Sequence, residues 1–98
     1  MSTDGVLIII LNIDSELKQL SLDPNVTTRG FVVVNENQNL ISDIQKKVKQ
    51  IAINELNKDC FNYVDLKNRI ILEINSFIIE LTGRRPIIMP MILETKKN

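Results

Sequence analysis

Residues 6–13 read Val-Leu-Ile-Ile-Ile-Leu-Asn-Ile, an apolar run interrupted by one asparagine and closed by the turn-prone pair Asp14-Ser15. The run is short and rich in β-branched residues, so it predicts a strand, and one that is apolar on both faces. Such strands sit in the middle of a sheet. A chain of 98 residues supports one core, so a single domain built around this strand is expected. The run falls far short of the roughly 20 residues that a membrane span needs. Asp4 is the only charge before it, so it is not read as a signal peptide either, and a cytosolic setting is expected.

A weaker strand is expected over residues 17–22, reached by a hairpin turn and broken by Asp23-Pro24-Asn25. Residues 26–34 read as extended, with Gly30 free to adopt a backbone conformation that other residues avoid. Over residues 39–58 the apolar side chains fall at helical spacing. Leu40, Ile44, Val48, Ile51 and Ala52 form one stripe, with Asp43, Lys46, Gln50 and Asn54 on the opposite, solvated face. A second helix starts at the N-cap residue Asn62, with Asp65 three positions on. Its stripe is Leu66, Ile70, Ile74, Phe77, Ile78 and Leu81, and Gly83 closes it. Residues 87–93 then form a last strand, which Pro90 confines to a sheet edge or a bulge. The expected architecture is α+β: a two-layer sandwich with a roughly three-stranded sheet and two helices on one face, in the order β-β-α-α-β.

That arrangement leaves one sheet face uncovered, and alternation along each strand assigns its residues. On the first strand Leu7, Ile9, Leu11 and Ile13 are expected inward, because Val6, Ile8 and Ile10 share their side with Asn12. On the last strand Ile87, Met89, Met91 and Leu93 are expected inward, with Ile88 and Ile92 outward beside Glu94. Val6, Ile8, Ile10, Ile88 and Ile92 would then form an apolar patch of the size at which a partner is usual. Leu72 and Ile79, on a polar flank of the second helix with Asn68, Asn75 and Ser76, are candidates for the same kind of cover.

Chemistry is scarce. The chain has no histidine, so imidazole triads and the common metal motifs are impossible, and Cys60 alone makes neither a disulfide nor a Cys/His zinc site. The three glycines are isolated, so no phosphate loop is present. The carboxylate pairs Asp14 with Glu16 and Glu73 with Glu80 read as solvated, and no cofactor or metal is expected in this domain. Twelve basic residues balance twelve acidic ones, which disfavours a phosphate clamp spread over the whole surface. Lys46, Lys47 and Lys49 read as a solvated helix face, while Arg29, Arg84 and Arg85 are candidates for contact with RNA or with a neighbouring domain.

Thr28-Arg29-Gly30-Phe31-Val32 resembles a motif of the C-terminal domain of ribonuclease J. The segment from Arg84-Arg85-Pro86 through Pro90 to Glu94 is similar to that domain's closing Arg-Arg-Pro, apolar, Pro, apolar, Glu pattern. The resemblance covers essentially the whole chain. Its departures are a first turn, Ser15-Glu16-Leu17-Lys18, that lacks the glycine often found there, and Val33-Val34 where relatives often have a tyrosine. The resemblance implies a parent metallo-β-lactamase and β-CASP ribonuclease with exonuclease and endonuclease activity in RNA decay and processing. It implies two zinc ions held by residues absent from this chain, and a C-terminal domain tied to dimer and tetramer assembly with identical or related subunits. An oligomerisation domain, catalytically silent by itself, is therefore expected. The alternative is an accessory RNA-binding module that guides substrate to the catalytic domain.

Overall fold

The computed structural model describes residues 5–30 and 39–95. The end of the predicted extended stretch, residues 31–34, lies outside the described residues, and with it Phe31 and Val32 of the first motif. The elements are β1 (Val6–Asp14), β2 (Gln19–Leu20), β3 (Asn25–Arg29), α1 (Leu40–Leu56), α2 (Tyr63–Thr82) and β4 (Ile87–Thr95). The two-layer α+β arrangement is as expected, with the strand count raised to four because residues 25–29 pair as a strand of their own.

β1 is central. β4 pairs with it in parallel along its whole length, from Val6 opposite Ile87 to Asp14 opposite Thr95. β3 pairs antiparallel with Val6 through Ile10, and β2 with Ile13 and Asp14, so these two short strands share the other edge of β1. Each odd residue of β1 from Leu7 to Ile13 is fully buried against the helices. α1 lies over β2 and β3, and α2 over β4. Leu40, Ile44, Val48, Ile51 and Ala52 of α1 and Leu66, Ile70, Ile74 and Ile78 of α2 complete the core.

The ends of α2 follow their local chemistry. The Asn62 side chain accepts a hydrogen bond from the Asp65 amide at 2.8 Å, satisfying one of the donors that a helix start leaves open. Gly83, at φ 72°, closes the helix by donating its N–H to the Ile79 carbonyl. Leu81 departs from its expected core position: it is exposed, while Ile78 in the same turn is buried and Ile79 and Thr82 are half-buried.

The turn after β1 carries a cost instead. The Asp14 carboxylate accepts the amides of Glu16 and Leu17 at 3.0 and 3.1 Å, which sets the bend. Lys18 then sits at φ 52°, in the left-handed region where a side chain is strained. Lys18→Gly is expected to be at least as stable as the native chain, and Lys18→Val less stable than Lys18→Gly by about 1 kcal/mol. Urea denaturation of the two variants measures the gap; equal stabilities would show that the turn re-forms without a left-handed residue.

Candidate functional site

The largest feature that the fold leaves unsatisfied is the sheet face opposite the helices. Val6, Ile8 and Ile10 point outward from β1 and are half-buried by their neighbours. Beside them in register stand Ile87, Met89 and Met91, with Leu93 next to Asn12. These four β4 side chains are between 46% and 50% exposed, so a continuous apolar strip covers two adjacent strands.

The side of β4 is therefore the reverse of the one expected. Ile88 is buried at 8% exposure and Ile92 packs on the core, so neither belongs to the outer face. Glu94 misleads here. It does share the side of Ile88 and Ile92, but it is exposed at the rim, near the Tyr63 hydroxyl. Burial, and then the nearby Glu94 charge, hold the Tyr63 phenol above its ordinary range.

Among the described residues no strand pairs with the far edge of β4. Ile87 donates its N–H to the Gly5 carbonyl at 2.8 Å, so the odd residues of β4 turn their backbone groups toward β1. The even residues, Pro90 among them, turn theirs toward the free edge. Pro90 thus removes a donor from the middle of that edge without interrupting the register with β1. An incoming strand cannot complete a ladder there.

The other candidates separate. Leu72 is 69% exposed on the back of α2, whereas Ile79 is half-buried. Arg29 lies opposite Val6, which lies opposite Ile87, and Arg84 and Arg85 immediately precede that end of β4. The three arginines are thus gathered at one end of the sheet. The lysines are engaged elsewhere: Lys49 pairs with Asp23 at 2.9 Å, and the Lys47 ammonium stands 5.5 Å from the Phe77 ring centre. Asp14 is spent on its turn and Glu73 on Arg69, so neither carboxylate pair is arranged as acid and base. Among the described residues no group of three or more Cys, Asp or Glu side chains is placed to hold a metal ion. Nor is any described helix long and apolar enough to cross a membrane.

Two features escape the sequence reading. A cleft of about 300 Å3 at the β1–β2 end is lined by Ile13, Lys18, Leu56, Phe61 and Tyr63, with the two rings edge to face at 5.3 Å. Glu55, only 3% exposed, accepts hydrogen bonds from Lys58 at 2.7 Å and Arg69 at 2.8 Å, and Arg69 also reaches Asn54 and Glu73. The hydrogen bonds from Lys58 and Arg69 hold the Glu55 carboxyl below its ordinary range against the opposing effect of burial. This network clamps α1 to α2.

Sequence comparison places the fold. A family described as "Ribonuclease J C-terminal domain" matches residues 1–95. The chain belongs to the ribonuclease J C-terminal domain family. It is 34% identical over 94 residues to "Ribonuclease J2" of Bacillus subtilis (strain 168), a match that covers 96% of this chain and 17% of that protein. It is 30% identical over 96 residues to "Ribonuclease J 2" of Streptococcus pyogenes serotype M3, covering 98% of this chain and 17% of that protein. "Ribonuclease J 2" of Staphylococcus aureus (strain NCTC 8325 / PS 47) matches at 29% over 94 residues, covering 96% of this chain and again 17% of the relative. The chain thus spans about a sixth of the length of these ribonucleases J.

Proposed function

We propose that this chain is the assembly domain of a ribonuclease J subunit, joining subunits through the outer face of its sheet and carrying no catalytic groups of its own. The observation behind this reading is the apolar strip along β1 and β4, four of whose side chains are about half exposed. A patch on the order of several hundred Å2 is at the upper end of what a monomer leaves in water. Nuclease chemistry and the two zinc ions belong, in this reading, to the remainder of the parent protein, and the partner is another ribonuclease J subunit, identical or related, in the cytoplasm. Sedimentation of the 98-residue chain is expected to show a monomer–dimer equilibrium in the micromolar range, as befits a small interface. A strictly monomeric chain at high micromolar concentration would overturn the reading.

One observation favours a second role, in RNA contact: Arg29, Arg84 and Arg85 converge at one end of the sheet. Guanidinium groups so placed suit phosphates. Binding of single-stranded RNA that weakens steeply with salt would support this role, and no binding at low salt would remove it.

A further inference from the structure

The helical layer carries a furrow on its solvent side, away from the sheet. Lys47 stands over Phe77, and Arg69 donates to Asn54, so the end of α1 meets the start of α2 and the two helices run antiparallel. A cleft of about 290 Å3 is lined mainly by α2 and one of about 450 Å3 mainly by α1. Both include Lys47 and Phe77, so they form one continuous groove between the helices. Its chemistry changes along its length. At the end nearer Arg69 stands Leu72, 69% exposed, with the half-buried Phe77 as the floor one turn further on. Lys46 and Lys47 flank that ring, and Asp43 and Glu80 close the other end. Among the described residues Asp43, Lys46 and Glu80 have no ion-pair partner, so their charges are open to a ligand.

We infer that this furrow takes an amphipathic α-helix of a partner protein. Its apolar residues rest on Leu72 and Phe77, a carboxylate faces Lys46 and Lys47, and a lysine or arginine lies between Asp43 and Glu80. The walls decide the form of the occupant. Both are helices whose backbone groups are paired internally, so an extended segment laid there would find no backbone partners, whereas a helix brings its own. The order of charges decides its chemistry. A phosphate backbone drawn to the lysines would also meet the carboxylates of Asp43 and Glu80, which disfavours RNA on this surface. From Leu72 to Glu80 the groove runs about 12 Å, a little over two helical turns, so the contact is short and exchangeable. Docking here is independent of assembly, because the groove lies on the layer opposite the outer sheet face.

Amide NMR of the 98-residue chain tests this with a designed helical peptide whose exposed stripe carries leucines, then glutamate, then lysine, in the order above. Resonances of α1 and α2 around Lys47, Leu72 and Phe77 are expected to shift, and those of β1 to stay fixed. A peptide of the same composition with glutamate and lysine exchanged is expected to bind about tenfold more weakly. Leu72→Gln, at an exposed position, is expected to weaken binding of the first peptide by about tenfold with the fold unchanged, and Leu17→Gln, exposed elsewhere, to leave it as it was. No shift with either peptide at millimolar concentration overturns the inference. So do equal binding of the two peptides, binding indifferent to Leu72→Gln, and shifts of the same amides by single-stranded RNA in place of the peptide.

Discussion

Ile88→Asp is expected to unfold the chain, whereas Met89→Asp, one residue along the same strand, leaves it folded and abolishes its association. The Ile88 side chain is buried among the core residues over which α2 packs. A carboxylate there has no partner, and burying it costs several kcal/mol, comparable to the whole stability of a domain this size. Met89 is 48% exposed on the outer face, so within the monomer the same change is worth about 0.5 kcal/mol or less. In the associated state the new charge would be enclosed, weakening the complex by about 100-fold. Circular dichroism and sedimentation of the two variants separate the effects. Two folded variants would place Ile88 outside the core, and a Met89→Asp chain that still associates would remove the face as the docking surface.

That pair of substitutions also marks where alternation runs out as a signal. On β1 a single polar residue, Asn12, is enough to sort the faces, and the odd residues are all buried as expected. β4 offers Ile-Ile-Met-Pro-Met-Ile-Leu before Glu94, apolar on both sides although only one side packs on helices and the other is about half exposed. Glu94 is the only charged residue in the strand, and at a strand end a carboxylate can share the inward side and still reach the rim. The helices were legible because their signals are local: Asn62 binds the Asp65 amide three residues on, and Gly83 closes the last turn of its own helix. Pro90 was legible as an edge residue for the same reason, since its missing donor is a property of its own backbone.

Glu55 was not legible, because what makes it tolerable lies fourteen residues away on another helix. It falls four positions after Ile51 on the buried stripe of α1, and only the arrival of Arg69, with Lys58, makes that position suitable for a charge. Glu55→Gln keeps the shape and removes the charge, and at neutral pH it is expected to lower stability by about 1–2 kcal/mol. The pH dependence follows from the direction of the shift. The folded state holds the Glu55 carboxyl below the unfolded range, about 4.3, so its contribution is full above that range and is lost as pH falls through the lower folded value. The stability gap between the native chain and Glu55→Gln should therefore shrink steadily in acid. Arg69→Met should be more damaging at pH 7, by about 2–3 kcal/mol, because it leaves the buried carboxylate with Lys58 alone and also releases Glu73. Pairing Glu55→Gln with Arg69→Met should restore part of that loss, since the charge left without its main partner is then gone. Urea titrations of the three variants across pH measure each gap. A native-to-Glu55→Gln difference that does not change with pH would mean that the Glu55 charge is not what ties α1 to α2.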